Sequence, residues 1–247
     1  MQKFADLVIK YRMIIIVSVV ALTGFFGYHL KNLEIDTDIL RYLPKNDSVV
    51  ILFNEVGDKF GGTALAMVAL ETDPKDAVHN VFNYETLNRV EEITERFKQM
   101  DEVSHVMSLT DIIDIKKTEW GLEVGKLIDK HNIPDSPGEL EKLKEYTLSK
   151  DMYQGNVISE DGKITVIIAR LEKDADKVKT AHKLKEIVKA TKGNERIYYG
   201  GIPFQMASVL GFILGDLYRL IPLVTILVMV TLFFSFRTLQ GVFLPLF

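Results

Sequence analysis

The chain has 247 residues, of which 47% are hydrophobic and 26% are charged, and its formal net charge is −4. It contains no cysteine, so disulfide bonds, thiolate chemistry and cysteine-ligated zinc are excluded. The acidic balance and the lack of a basic patch in the sequence argue against nucleic acid as a partner. The charges are also unevenly placed, because two long stretches carry almost none.

These two apolar stretches predict membrane-spanning helices. Residues 13–30 carry no formal charge, and as a helix they reach ~27 Å, close to the thickness of a bilayer's hydrocarbon core. Residues 217–236 form the second predicted span. A cleaved signal peptide is the alternative for the first stretch, but the aromatic residues Phe25, Phe26 and Tyr28 occupy the end where cleavage needs small side chains. The uncleaved span is therefore preferred.

The flanking cations predict the orientation of these spans. Residues 1–12 combine apolar side chains at helical spacing with lysine and arginine on the other faces, which indicates a cytoplasmic interfacial helix; a flexible terminus is the alternative. Arg237 follows the second span and returns the chain to the cytoplasmic side. Residues 31–216 are therefore predicted to be extracytoplasmic. Arg219 lies at the outer mouth of the second span, where it can snorkel toward headgroups.

The carboxyl end of the chain predicts a further span. Residues 238–241 are too short for a cytoplasmic domain, and residues 242–247 have the composition of the first turns of a third, truncated helix. The chain is thus expected to be the front end of a polytopic protein. Pro222 is expected within the first turn or so of the second span, where a missing amide donor costs little.

The first half of the outside domain predicts a strand, a helix and a strand. Residues 61–70 form a near-continuous apolar run, which is typical of a central strand covered on both faces. Residues 83–100 place apolar side chains three and four apart, which predicts an amphipathic helix with a wet, charged face. Residues 102–109 then form a short strand.

The second half repeats this order. A hairpin with its turn at Asp161 and Gly162 leads into a buried strand at residues 164–171. An amphipathic helix at residues 174–191 and a strand ending in a Gly-Gly-x-Pro break follow. The sequence therefore predicts a membrane protein of the α+β class, in which transmembrane helices flank two ferredoxin-like, strand-helix-strand subdomains at residues 61–110 and 155–203.

Residues 111–150, between the two halves, are predicted to be a mostly helical insertion. Ser136 is expected to cap a helix in which Pro137 takes the first position and Glu139 reaches back. The insertion is either a mobile lid or a packing element, and the second interpretation is preferred.

No motif predicts catalysis, a cofactor or a metal site, and the chain is not expected to be an enzyme. No Gly-rich phosphate loop is present, and Asp36 and Asp38 are more typical of solvated or capping carboxylates than of metal ligands. The histidines show no metal-ligand spacing and are interpreted as surface or structural residues: His29, His79, His105, His131 and His182.

Two glycine pairs are candidates for hinges, because glycine tolerates unusual backbone angles. Strand termination is the preferred interpretation for both pairs, Gly61-Gly62 and Gly200-Gly201. The second pair has the stronger functional claim, because it lies where the domain must transmit movement to the second span. The candidate coupling residues are Gly200, Gly201, Pro203, Asp216, Arg219, Pro222 and Arg237.

Several stretches together resemble the resistance-nodulation-division (RND) superfamily, in its branch of lipid-type exporters related to the mycobacterial large membrane proteins, hopanoid exporters and Patched. The most specific is DLYRLIPLVTILVMVTLFFSFRTLQGVFLPLF, with an acid and an arginine at the mouth of the second span, Ile-Pro-Leu inside it and Phe-Arg-Thr at its end. DTDILRYLPKNDS, VSHVMSLTD and GGIPFQMA support the resemblance.

This resemblance implies an extracytoplasmic porter domain in an exporter of hydrophobic or amphiphilic molecules, lipids or drugs, in the inner (cytoplasmic) membrane. It implies that proton or cation flux drives transport through acidic residues beyond residue 247, since neither predicted span carries an ionisable group at depth. The implied partners are the lipid bilayer, the substrate and the remaining half of the transporter, and a homo-oligomer is left open.

Three other classes share parts of this organisation. A subunit of an ATP-driven permease or a Sec-type complex also has a large outside domain followed by spans, and is the main alternative. A membrane sensor would continue into a cytoplasmic signalling helix, which residues 238–247 do not resemble. A membrane hydrolase lacks any catalytic constellation in the sequence.

Overall fold

The computed structural model describes residues 11–29, 42–44, 46–73, 80–118, 121–129 and 132–237. The predictions for Asp36, Asp38, the third span and all but the last two residues of the interfacial helix lie outside these residues. The chain divides into two compact units: one is Asp38–Val209, and the other joins Met1–Thr37 with Leu210–Phe247.

The described chain contains both helices and strands, which confirms the α+β class. Asp47, Asn83, Ser136 and Asp176 cap four of the helices, each accepting a hydrogen bond from a first-turn amide. In chain order the elements are α1 (Arg12–His29), α2 (Ser48–Phe60), β1 (Leu65–Glu71), α3 (Tyr84–Lys98), β2 (Val103–Met107), β3 (Ile113–Thr118), β4 (Gly121–Lys126), α4 (Pro137–Leu148), β5 (Ile164–Leu171), α5 (Lys177–Ala190), β6 (Arg196–Gly200) and α6 (Ile202–Phe236).

The main sheet corrects the prediction of two separate subdomains. Its order is β2-β5-β1-β6, and every neighbouring pair is antiparallel. The strands of the first strand-helix-strand half, β1 and β2, are therefore separated by β5, and those of the second half, β5 and β6, by β1. Each half leaves a gap that a strand of the other half fills, so the two halves form one ferredoxin-like sheet with a shared core.

One face of this sheet is fully buried in β1 and β5. We call it the covered face, and its strand residues are Ala66, Val68, Leu70, Ile167, Ala169 and Leu171, all with no solvent exposure. Helices α3 and α5 supply the facing side chains, among them Val90, Ile93, Phe97, Leu184 and Val188. The helical spacing predicted most of these contacts. The charged side of α3 was predicted to be exposed to solvent, but Arg89 is an exception, because only 6% of it is exposed.

The other face of the sheet is not covered by these helices. We call it the open face; it includes Leu65, Met67, Ala69, Ile168, Arg170 and Tyr198, each half-buried or exposed. Strand β1 is central, as predicted, but it is buried on alternate residues only. The prediction that both of its faces are covered is therefore wrong within the described residues, because α3 and α5 both contribute to one core.

The insertion is a hairpin followed by a helix, which corrects the prediction of a mostly helical segment. Strands β3 and β4 pair in antiparallel register, with Ile115 opposite Val124. The alternation of apolar and polar residues at 113–116 and 122–125 carries the strand signal that the prediction missed. Helix α4 begins as predicted, with Ser136 as its cap, Pro137 in its first turn, and the Ser136 hydroxyl donating to the Glu139 carboxylate at 2.9 Å. Trp120 lies outside the described residues.

The predicted turn between the insertion and β5 is present. Gly162 has a φ of 68° and donates its amide to the Ser159 carbonyl at 2.9 Å. The arm before this turn forms isolated bridges, between Gln154 and Ile158 and between Ile158 and Thr165, and no regular strand. The predicted hairpin therefore has one regular strand, β5.

Helix α6 is long and apolar. It has 35 residues, which corresponds to about 52 Å of helix. Among the described residues, Ile202–Ser235 is the one segment long and apolar enough to cross a membrane, while the apolar helix Ile16–His29 is shorter than that criterion. The second predicted span thus lies within α6, which begins fifteen residues before residue 217, and the first span stays a prediction.

Candidate functional site

The junction between β6 and α6 contains three of the candidate coupling residues. Gly200 ends β6 opposite Met67 of β1. Gly201 has a φ of 90°, and a Cβ at this position would overlap the backbone carbonyl of Leu65. Glycine is therefore required at residue 201 both for its backbone angle and for the close approach of β1.

The first turns of α6 belong to the core of the Asp38–Val209 unit. Pro203 is buried in the first turn, and Phe204 and Ala207 pack in the covered-face core. The rings of Tyr199 and Phe204 lie with their centroids 5.0 Å apart, and the ammonium group of Lys185 lies over both rings at 5.2 and 5.6 Å. The start of α6 is thus held by apolar and cation–π contacts.

The remaining candidate coupling residues lie further along α6. Asp216 and Arg219 are exposed on the helix. Pro222 lies in the helix interior, twenty residues after its start, which corrects its predicted place in a first turn. Because proline lacks an amide hydrogen, the carbonyl four residues earlier has no helical donor there. Arg237 ends the helix with a φ of 52°, its amide donating to the Phe233 carbonyl at 2.8 Å.

A buried ion pair lies close in sequence to this junction. The Arg89 guanidinium, on α3, contacts the Glu195 carboxylate just before β6, and both side chains are almost fully buried. Arg89 also donates to the side chain and the carbonyl of Thr191. Burial opposes ionisation of Glu195, but hydrogen bonds from Thr86 and Arg89 and the charge of Arg89 outweigh it, so the pKa of Glu195 lies below its usual value.

A second buried polar cluster anchors the insertion. Asp114 of β3 accepts hydrogen bonds on Oδ1 from the hydroxyls of Tyr146 at 2.9 Å and Tyr153 at 2.6 Å. Its Oδ2 has no hydrogen bond, although the ammonium group of Lys116 lies 3.4 Å away. Burial opposes ionisation, but the donated hydrogen bonds keep the pKa of Asp114 below its usual value. Burial and the adjacent carboxylate raise the pKa of Tyr153.

An apolar groove, which we call the α2 groove, lies between α2 and a corner of the open face. The groove is open to solvent and has a volume of about 480 Å³, and among the described residues Arg170 is the one charged side chain that lines it. Its apolar lining includes Val49, Leu52, Val56, Phe60 and Leu65. A pocket of this volume falls within the roughly 300–1,000 Å³ typical of small-molecule sites.

The structure brings Gly200, Gly201 and Pro203 together, whereas Asp216, Arg219, Pro222 and Arg237 are spread along one helix. Sequence reasoning missed the α2 groove, because it assigned no element to residues 48–60. A signal for that helix was available: Asp47 is a good cap, and apolar residues recur at 49, 52, 53, 56 and 60 with helical spacing.

Among the described residues, no group of three or more histidine, aspartate or glutamate side chains could hold a metal ion. His29, His105 and His182 are exposed there. His79 and His131 lie outside the described residues.

Comparison with known proteins shows a family and a relative to which this chain is similar. The family model described as "MMPL family" matches residues 48–247, well over half of the chain. A protein of Methanocaldococcus jannaschii named as a membrane protein is 24% identical over 103 residues, which cover 40% of this chain and 26% of that relative. The matched part thus spans about a quarter of the relative's length.

Proposed function

Because the chain belongs to the MMPL family, we propose that it forms the amino-terminal part of an ion-gradient-driven RND-type exporter of hydrophobic or amphiphilic molecules. The family assignment confirms the resemblance to the RND superfamily. The proposal rests mainly on α6. Its first turns lie in the core of an α+β domain, and the same continuous helix is long and apolar enough to cross a membrane.

In the proposed mechanism, the α+β domain is the extracytoplasmic porter domain and α6 carries movement between it and the membrane. Gly201 and Pro203 fix the start of the helix in the domain core. Pro222 supplies the point at which α6 can bend, because one backbone hydrogen bond is missing there. In this mechanism movement passes along the helix and not through a loose linker, because residues 202–236 are one continuous helix.

The driving force is proposed to come from segments beyond this chain. Residues 220–236 of α6 contain no ionisable side chain. A proton or cation relay through a bilayer needs titratable groups at depth. We propose that the remaining half of the transporter supplies these groups, with the amino terminus cytoplasmic and residues 31–216 outside the inner membrane.

The proposal is tested with inverted membrane vesicles that contain the complete transporter and a fluorescent amphiphile. Uptake into the vesicles should follow an imposed proton or sodium gradient and should stop when an ionophore collapses that gradient. Uptake that requires ATP and persists with the ionophore would favour the permease-subunit alternative and contradict the proposal.

The role of Pro222 is tested in the same vesicles. A Pro222→Ala variant restores the missing backbone hydrogen bond, and we expect it to slow gradient-driven uptake while leaving the melting temperature of the α+β domain unchanged. Ala substitution of Pro203, which is buried in the domain core, should instead lower that melting temperature. Equal uptake by the Pro222→Ala variant and the unmodified transporter would contradict a bend at this position.

A further inference from the structure

The α2 groove presents apolar side chains that nothing among the described residues covers. On α2, Val49, Leu52 and Phe60 are each more than 60% exposed, although all three are large and apolar. Leu65 continues the apolar lining onto the open face of the sheet. Exposed apolar surface gathered in a concave site is typical of a binding site.

The groove has a cation at its rim. Arg170 lies opposite Leu65 in the register of β1 and β5, so it occupies the same face of the sheet. Its Nη1 donates to the Phe60 carbonyl at 2.9 Å, which fixes the guanidinium beside the last turn of α2. A guanidinium has five N–H donors, so this bond leaves donors for an anionic group.

Asp58, two residues before Phe60 on α2, does not neutralise this cation. Asp58 forms an ion pair with Lys173, beyond the end of β5. Within the described part of the chain, the structure gives Arg170 no carboxylate partner. The groove therefore combines an apolar interior with a positive charge at one side, which is complementary to a molecule that has an apolar chain and an acidic head.

We propose that the α2 groove binds the acyl chain of an anionic amphiphile while the Arg170 guanidinium holds its carboxylate or phosphate head. Arginine suits this role because its planar donors match both head groups in a bidentate geometry. The chain contributes affinity through apolar burial, and the head group sets the orientation.

This inference rests on the proposed function in one respect, since it names the kind of amphiphile that the exporter accepts. Binding to the groove needs no ion gradient, however. It is therefore measured on the purified full chain held in amphipol, while transport is measured separately in vesicles.

The experiment titrates the full chain with a dansyl-labelled fatty acid and with its methyl ester. We expect the acid to bind at least about tenfold more tightly than the ester, as expected for a charge-assisted hydrogen bond in a partly buried site. Arg170→Gln should remove this difference. Leu52→Asn should weaken the binding of both probes, because it makes the apolar wall polar.

Two variants serve as controls. Arg96→Gln removes an exposed guanidinium that pairs with Glu92 on α3, and it should leave both affinities unchanged. Val56→Trp fills the groove from a partly exposed position and leaves the Arg170 residue unsubstituted. It should weaken the binding of both probes, and it provides a test even if Arg170→Gln fails to fold.

Competition experiments identify the ligand chemistry. Displacement of the probe by unlabelled fatty acid or by a lysophosphatidic acid supports the proposal, and the stronger competitor identifies the head group. Displacement by inorganic phosphate alone, equal affinity for acid and ester, or binding that the Val56→Trp variant leaves unchanged would each overturn it. Exclusion of the probe by self-association of the chain would also overturn it.

Groove binding without gradient-driven uptake would instead contradict only the proposed function.

Discussion

The two faces of the main sheet differ in what covers them. On the covered face, the alternate side chains of β1 and β5 that include Ala66 and Leu171 have no solvent exposure, and they pack against α3 and α5. On the open face, the same strands present Met67, Ile168 and Arg170, which are only partly buried. Consecutive residues along β1 or β5 therefore alternate between a packed core and an accessible surface.

This difference separates stability from binding. Large free energies of unfolding come from side chains that lose all contact with water, and the covered face contains them. The open face retains exposed apolar area and Arg170, a charged residue that lines the α2 groove, and both are features of a ligand site. Substitutions on the covered face should therefore reduce the free energy of unfolding, and those on the open face should mainly reduce affinity.

The largest effect is expected at Phe97, which is fully buried at the centre of the covered-face core. Phe97→Ala should lower the free energy of unfolding by roughly 3–5 kcal/mol, because it leaves a cavity that the core cannot fill. Urea denaturation followed by circular dichroism measures this change. The matched open-face variant, Met67→Ala, should cost much less, and an equal cost for both would remove the distinction between the faces.

A comparable loss is expected when the buried ion pair is broken. Arg89→Met should cost roughly 3–5 kcal/mol, because it leaves the Glu195 carboxylate buried without its charge partner. The double variant Arg89→Met with Glu195→Gln should regain part of that loss, since no unpaired charge remains. A double variant less stable than Arg89→Met alone would contradict this explanation.

The same pair predicts a pH dependence. The folded-state pKa of Glu195 is lowered, so its contribution to stability is complete above the unfolded pKa of about 4.3 and is lost as the pH falls through the folded-state pKa. Denaturation at a series of acidic pH values should therefore show a loss of stability in the unmodified chain that is smaller in Glu195→Gln. Identical pH profiles for the two chains would contradict the lowered pKa.

An intermediate effect is expected at the junction before α6. Gly201→Ala should cost roughly 1–3 kcal/mol, because the backbone has a positive φ and the new Cβ would overlap the Leu65 carbonyl. Gly200→Ala is the matched control, since its Cβ would lie 3.8 Å from the Met67 side chain. Thermal melting of the two variants measures the difference. Equal melting temperatures for the two variants would contradict the close approach of Leu65 to residue 201. Transport by a Gly201 variant tests coupling only if that variant still folds.

The smallest effect is expected in the insertion. Tyr153→Phe removes one hydrogen bond to the Asp114 carboxylate and should cost about 1.5 kcal/mol, the lower end of the range for a hydrogen bond to a charged group. Tyr146→Phe removes the longer bond from a less buried side chain and should cost less. Hydrogen–deuterium exchange should show faster exchange at β3 in the Tyr153 variant. Unchanged exchange at β3 would indicate that the cluster does not hold the hairpin.

The sequence predicted the parts of this fold that depend on local periodicity. The buried face of α5 and most of α3, the cap at Ser136 and the turn at Gly162 follow from local spacing and local chemistry. The interleaving of β5 between β1 and β2 could not be predicted in this way, because strand neighbours are chosen by long-range packing. Arg89 was misassigned for the same reason, since its partner Glu195 lies 106 residues away.

The candidate site was less predictable than the fold. Gly201 was singled out from its place in the sequence, but the close approach of Leu65 that explains it is visible only in three dimensions. The α2 groove depends on Arg170 and Leu65 meeting across two strands and on α2 lying beside them. Arg170 is the one charged residue of β5, but the alternation of the strand assigns it only to a face, and Leu65 does not stand out within β1. Periodicity alone could therefore not have identified the groove.

Hydrogen–deuterium exchange of the full chain with and without a saturating fatty acid tests the division between the two faces most directly. We expect the fatty acid to slow exchange at the backbone amides of α2 and at residues 61–65, and to leave exchange in α3 and α5 unchanged. We also expect Arg170→Gln to abolish this protection. Protection of α3 and α5 without protection of α2, or no protection at either, would contradict the assignment of binding to the open face.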